Sequence, residues 1–345
     1  MTITVSGSTV TFTDSTTQNT AATGFGFKNR LINGAMLLNQ RSVASVSGTA
    51  YPVDRFLFSM NGSNMTAAQS ITAPTGFRNS VVITSNAASS IAAGDYRQFI
   101  QNIEGYNFYD FAYGTASAAT LSLSFWARSS LTGTFSGGVM NSAATRSYVF
   151  TYSINSANTW EYKTVAIPGD TTGTWVTDNG VGLSLRFDLG TSSTYTTSAG
   201  SWQAGLYFKS TGSVSLCSTS GATLYFTGVQ LEKGPTATTF DWRSGGTETA
   251  LCQRYYCPIG FGAANGYALG GATVGGNANL KVTMRATPTF AQIADGYMYG
   301  SYNVATSTSY YLTGGGIGDV FVYRAAASSS SSQFSELFSA TAELL

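Results

Sequence analysis

The stretch TLSLSFWARS, residues 120–129, alternates in steps of two. Leu121, Leu123 and Phe125 share one face, and Trp126 and Arg128 share the other. Successive side chains of a β-strand point to opposite faces, so this is a strand with one apolar side. The same beat returns in YVFTYSI (148–154), which groups Tyr148, Phe150, Tyr152 and Ile154. In GLSLRFDLG (182–190), Leu183, Leu185, Phe187 and Leu189 face inward, and Arg186 and Asp188 face outward. LYFTGVQL (224–231) alternates likewise. The turn signals PGD (168–170) and DNG (178–180) separate these runs. Many antiparallel strands at this spacing predict an all-β sandwich or jelly roll. No internal repeat of roughly 20–50 residues is present, which argues against a β-helix or a propeller.

Composition agrees. The 345 residues include 39 Gly and only 6 Pro, which suits strands joined by glycine turns. Hydrophobic residues are 43% and aromatics 13%, enough for a packed core. Charged residues are only 10%, against about 25% in an average globular protein. Net charge is +1, and the 12 Arg and 5 Lys are spread singly. No field exists to hold a phosphate backbone, so nucleic acid is excluded as a partner. No stretch of 18 apolar residues suggests membrane insertion. The N-terminal MTITVSGSTVTF has neither a basic nor an apolar leader region, so folding in a reducing cytoplasm is expected. The three cysteines, Cys217, Cys252 and Cys257, lack a disulfide or zinc spacing and read as buried reduced thiols.

Histidine is absent, which removes Ser-His-Asp and Cys-His catalysis and most transition-metal sites. A carboxylate pair remains, with Glu104 and Asp110 or Asp170, Asp178 and Asp188 best placed. Asp170 and Asp178 stand at ordinary turn positions. With Asn179 they offer oxygen ligands for calcium, but turn chemistry alone explains them. No catalytic residue, metal or cofactor is therefore expected. Aromatics are the binding groups that remain. Sugars lay apolar C–H faces on Trp and Tyr rings while Arg, Asp and Asn bind hydroxyls. The carbohydrate-binding candidates are Trp126, Arg128, Trp175, Arg186, Asp188 and Trp202.

The organisation read from the chain is an arm and linker over 1–27, a jelly roll over 28–245, a helical connector over 246–257 and a small β domain over 258–345. Ile3, Val5, Val10 and Phe12 alternate in the arm, which is too small to bury its own apolar face, and 14–26 read as flexible linker. In the connector, Thr247 is the expected helix cap. The serine run 327–333 reads as a loop, and SATAELL as a terminal strand. Ions and aromatics crowd into TGVQLEKGPTATTFDWR (227–243). There Gln230, Glu232, Phe240, Trp242 and Arg243 read as a clasp that closes the sandwich, with Arg30 or Arg55 as the expected partner of Glu232.

Several segments, in order, resemble a group of bacteriophage and prophage tail proteins: NRLINGAMLLNQR (29–41), YPVDRF (51–56), QNIEGYNF (101–108), TLSLSFWARS, TVAIPGDTTGTW (164–175), TGVQLEKGPTATTFDWR, ALCQRYY (250–256) and MRATPTF (284–290). The middle also resembles jelly-roll carbohydrate-binding modules, and SGSTVTFTDSTTQ resembles the attachment arms of phage fibres. The resemblance implies a virion structural protein displayed on the particle exterior. It would be a tail fibre or tail appendage that contacts host surface glycan and joins a phage tail or capsid protein through its arm. A head fibre or capsid-decoration protein is the first alternative, and a surface-glycan hydrolase the second. The resemblance also implies a homotrimer. The few charges, with Tyr297, Tyr299, Tyr302, Tyr310, Tyr311 and Tyr323 late in the chain, point the same way, because a monomer would expose sticky patches.

Overall fold

The computed structural model describes residues 27–62, 64–259, 280–289 and 339–344 with their side chains, and further strands near both ends of the chain by backbone alone. Twelve strands build the body: β1 (Ala50–Val53), β2 (Phe56–Met60), β3 (Met65–Ser70), β4 (Ser80–Ser85), β5 (Arg97–Glu104), β6 (Leu121–Ser129), β7 (Gly133–Met140), β8 (Arg146–Ile154), β9 (Glu161–Ile167), β10 (Val181–Asp188), β11 (Trp202–Ala204) and β12 (Thr223–Lys233). Seven strands form one sheet in the order β11-β8-β7-β10-β5-β2-β1, and five form the other in the order β9-β6-β12-β4-β3. Every pairing in both is antiparallel. This is the jelly-roll sandwich that the alternation predicts.

The core lies between the sheets, where the alternating apolar residues of both interdigitate. Phe187 of β10 and Phe226 of β12 meet across the layers at 4.4 Å between ring centroids. Phe125 of β6 reaches Tyr152 of β8 at 5.0 Å. Phe99 lies 5.0 Å from Phe56 and 6.0 Å from Phe226. Leu121, Leu123, Leu183, Leu185, Leu189 and Leu231 are all fully buried.

Parts of both outward faces are covered too, which alternation alone does not predict. Phe208 lies against Gly138 of β7 and is itself buried. The Ser210 amide donates to Ser136 Oγ of the same strand. On the other sheet, the chain that follows β12 folds back, so the outward-facing Ser122, Ser124, Gln230 and Glu232 are buried.

Closure of the sandwich depends on Asn29. Its Nδ2 donates to the Val229 carbonyl, and its Oδ1 accepts from the Leu31 and Leu231 amides. The Arg30 amide donates to the Leu231 carbonyl and the Val229 amide to the Gly34 carbonyl. The entering chain thus runs beside β12, the last strand of the body.

Helix α1 spans Gly245–Gln253, and Ser244 rather than Thr247 caps it, accepting from the Thr247 amide. Thr247 lies inside the first turn, so its own amide is one of those needing a cap. Ile32, Cys252, Tyr255 and Leu344 form a second small apolar cluster. The strand Tyr256–Gly260 then pairs with Ser330–Thr341, which also pairs with Ala264–Ala268 and Thr289–Tyr299. The serine run expected as a loop therefore enters a strand from Ser330, because the edge of Ala264–Ala268 offers its backbone a ladder. Asn102 Nδ2 donates to the Leu344 carbonyl, and Glu343 pairs with both Arg41 and Arg55. The Arg55 guanidinium stacks 3.4 Å from the Tyr255 ring centroid. Charges are scarce in this chain, and many are spent where its end meets the body.

In the arm, Thr4–Ser6 pairs with Thr9–Thr11, placing Val5 opposite Val10. Thr17–Gln18 adds a third strand inside the segment read as linker. Ile3 and Phe12 lie outside the described residues, as do the side chains of Val5, Val10 and the late tyrosines. All three cysteines are free and buried. Among the described residues no helix is long and apolar enough to cross a membrane.

Candidate functional site

The outward face of the five-stranded sheet carries an open aromatic groove. Antiparallel register places Tyr162 of β9 directly opposite Trp126 of β6, with ring centroids 5.4 Å apart. On its other side Trp126 pairs with Thr227 of β12, where the register shifts before Gln230. Gly228 occupies that bulge with φ +60°. A Cβ there would stand 2.7 Å from the Phe77 ring and 3.1 Å from Trp126 Cδ1. Glycine alone accepts both the left-handed backbone and the two rings closing over it.

Phe77 carries the aromatic surface onward. Its ring lies 5.2 Å from Phe240 and 5.0 Å from Trp242, and those two are 4.8 Å apart. Between this trio and the Trp126–Tyr162 pair runs a groove of about 450 Å³, within the usual range of roughly 300–1,000 Å³ for ligand sites. Ser124, Thr75, Thr238 and Thr239 supply hydroxyls along it. Tyr162 is 45% exposed and Trp242 53%, so two large rings of the groove face solvent. One step along β6, Arg128 lies opposite Tyr225 of β12. Its guanidinium sits 4.9 Å from the Tyr225 ring centroid, Nε donates to the Asn158 carbonyl at 2.8 Å, and Trp160 meets Tyr225 at 6.0 Å.

The clasp residues frame the groove. Glu232 accepts from the Thr238 amide at 2.7 Å, Thr238 Oγ1 at 2.8 Å and Gln230 Nε2 at 3.0 Å. Gln230 Oε1 accepts from the Asp241 amide at 2.7 Å. Arg243 pairs with Glu248 and donates to the Leu31 and Asn29 carbonyls. The expected arginine partner of Glu232 is not what the structure shows. Arg30 pairs with Asp110 and Arg55 with Glu343. A hairpin-like return brings Thr238 six residues back onto Glu232, and its local donors satisfy the carboxylate before any distant cation can.

The other candidates from the sequence lie elsewhere. Trp175 and Trp202 come together, 5.6 Å apart, packed with Tyr113. Their indole N–H groups donate to the Thr172 and Pro168 carbonyls. Arg186 and Asp188 lie beneath the cover over the seven-stranded sheet. Arg186 donates to Ser184 Oγ and Gln98 Oε1 and stacks near Phe208; burial lowers it to about 10. Burial pushes the Asp188 carboxyl up to about 6, against the opposing pull of Lys209, whose Nζ is 3.8 Å away. Of the six, only Trp126 and Arg128 share the open groove face.

The carboxylates considered for catalysis are engaged. Glu104 takes both Arg254 nitrogens at 3.0 and 2.9 Å, and Asp110 pairs with Arg30 and Lys233. Asp170 receives the Arg146 fork at 2.7 and 2.8 Å, and the Asp178 Oδ1 caps the Gly180 amide. Asn179 donates to the Arg285 carbonyl. Among the described residues no group of three or more Cys, Asp or Glu is arranged to hold a metal ion.

Tyr162, Phe77, Trp160 and Tyr225 were missed from the sequence. Tyr162 and Tyr225 carried a signal, an aromatic at an outward position of an alternating strand, but their neighbours are set by strand pairing between distant segments.

No protein-family model matches the chain, and no curated protein matches it. Among solved structures, it is similar to the enzymatically active domain of tailspike protein 4 of bacteriophage CBA120, with 15% identity over 60% of this chain and a TM-score of 0.35. The match spans about a fifth of that tailspike chain, 21%. It is also similar to the family 11 carbohydrate-binding module of the Clostridium thermocellum cellulase Lic26A-Cel5E, at 13% identity, 57% of this chain, 98% of that one and a TM-score of 0.27. A third is the CBM22-1–GH10 portion of C. thermocellum xylanase 10B complexed with xylohexaose, at 9% identity, 62% of this chain, 32% of that one and a TM-score of 0.29.

Proposed function

We propose that this chain is a bacteriophage virion protein, a tail fibre or tail appendage, that holds host surface glycan in the aromatic groove and does not cleave it. One observation carries the binding reading: Trp126 and Tyr162 on one wall, and Trp242 on the other, line an open groove edged by hydroxyls. Pyranose rings stack on aromatic rings, while Ser and Thr meet their hydroxyls. The virion placement rests on the sequence resemblance to phage tail proteins and fibre arms. A non-catalytic role is supported by the commitment of Glu104 to Arg254, of Asp110 to Arg30 and Lys233, and of Glu232 to Thr238 and Gln230.

The test is retention of the purified protein on a panel of immobilised oligosaccharides, with a Trp126→Ala/Tyr162→Ala double variant beside it. Binding that the double variant loses is expected; a protein retained by no glycan overturns the reading. Sugar release during long incubation with host envelope would favour a hydrolase instead. The arm is proposed to join the particle, so a protein lacking residues 1–27 should fold but fail to be incorporated. Labelled antibody on intact particles separates a tail position from a head fibre. The oligomer is proposed to be a homotrimer, since linked shallow sites raise avidity by roughly 10²–10⁴; a stable monomer in light scattering would reject it.

A further inference from the structure

Resting on the glycan-groove reading, we infer that the ligand is an acidic polysaccharide and that Arg128 takes its carboxylate. The inference comes from the charge layout of the outward face of the five-stranded sheet. Arg128 and Trp126 are two residues apart on β6 and so lie on the same face, on the order of 7 Å apart along the strand. Tyr162 pairs with Trp126 and Tyr225 with Arg128. A sugar ring stacked on Trp126 thus has the guanidinium as its next neighbour along the sheet.

The guanidinium is held in place and still has donors to give. The Tyr225 ring beneath it, 4.9 Å away, and the Nε bond to the Asn158 carbonyl at 2.8 Å fix its plane. Among the described residues its two terminal nitrogens have no hydrogen-bond or ion-pair partner. A planar, oriented pair of N–H donors matches a carboxylate in bidentate geometry and is less suited to a lone hydroxyl.

No carboxylate competes from the groove. The one acidic side chain on the outward face of β6, β9 or β12 is Glu232, buried and closed by Thr238 and Gln230. Glu161 turns to its own edge, where Lys163, Asn155 and Ser156 hold it. An anionic polymer therefore meets one fixed cation and no repelling charge. A neutral glycan would leave the fork without an acceptor of matching charge.

The experiment compares retention on immobilised neutral hexose oligosaccharides with retention on uronic- and sialic-acid oligosaccharides, and on the same acidic oligosaccharides with their carboxylates reduced to alcohols. Preference for the acidic set is expected, falling roughly 10- to 100-fold on reduction, the weight of a charge-assisted pair. Binding of the unaltered protein should also weaken as salt rises. Arg128→Gln should lose most of that preference, and Arg128→Lys should recover only part, because ammonium lacks the fork. Equal retention on native and reduced sugars, or salt-independent binding, overturns the acidic assignment while leaving the groove reading intact. Retention by no sugar overturns both. The salt and reduction arms use the protein without substitution, so they decide the question even where a variant fails to fold.

Discussion

Trp126 and Tyr162 occupy directly paired positions of β6 and β9, with ring centroids 5.4 Å apart, and together form one wall of the groove. Nothing in the core requires this pair, because the inward face of β6 is already filled by Leu121, Leu123 and Phe125. Trp126→Ala and Tyr162→Ala should each weaken glycan binding by at least about tenfold, or 1.4 kcal/mol. Tyr162 is exposed, so its loss should move the melting temperature by only a few degrees, as surface substitutions do. Calorimetric titration beside thermal melts would check this. Unchanged affinity in both folded variants would remove the groove from the argument.

Asn29 ties the entering chain to the last strand with its side chain alone, through one donor and two accepted bonds. Its amide adds a bond to Asp241 Oδ2. Asn29→Ala would leave the Val229 carbonyl and the Leu31 and Leu231 amides buried without partners, so a loss of about 2–4 kcal/mol is expected. Glu232→Ala should cost less, since Thr238 lies nearer solvent. It should also loosen the groove edge that Thr238 and Thr239 supply. Urea denaturation measures both, and an Asn29→Ala protein as stable as the parent would show that water replaces the clasp.

Gly228→Ala tests how the groove floor is built. The left-handed backbone costs an alanine on the order of 1 kcal/mol, and the new methyl would displace the Phe77 ring or Trp126. Reduced stability together with altered glycan affinity is the expected pair of effects. Loss of stability with wild-type affinity would mean that the Phe77 side of the groove contributes nothing to binding.

Much of the fold was legible in the sequence, and the reason is local. Alternation in LSLSFWARS or GLSLRFDLG states which side chains face the core without reference to any other strand, and those assignments agree with the observed burial. The groove was only half legible. Trp126 and Arg128 announce themselves by facing outward, but their partners Tyr162 and Tyr225 are brought in by pairing with strands about 35 and 100 positions away in the chain. The same blindness to long-range pairing explains Glu232, expected to seek Arg30 or Arg55 and instead satisfied by Thr238. It also explains Trp175 and Asp188, placed where a loop or an outward face was read. Segments distant in sequence cover them, and no local pattern signals a cover.

Asp188 gives the fold a pH dependence whose sign can be worked out. Its ordinary value is 3.8 and burial raises it to about 6, with Lys209 and the Gly190 and Thr191 amides pulling the other way. The folded protein therefore binds more protons than the unfolded chain between roughly pH 4 and 6. Stability from this group is highest below that window, falls as pH rises through it, and is flat above. The difference corresponds to about 3 kcal/mol. One carboxylate oxygen, Oδ2, has no hydrogen bond, and Lys209 stands off at 3.8 Å while its Nζ donates to Ser215 Oγ. Asp188→Asn removes the buried charge and keeps the shape, and Lys209 keeps its serine. The variant should match the parent near pH 4 and exceed it by about 1–3 kcal/mol at pH 7. Taking the difference between the two proteins at each pH cancels every other titrating group. A variant less stable than the parent at pH 7 would show that the attraction of Lys209 outweighs the cost of burying the charge.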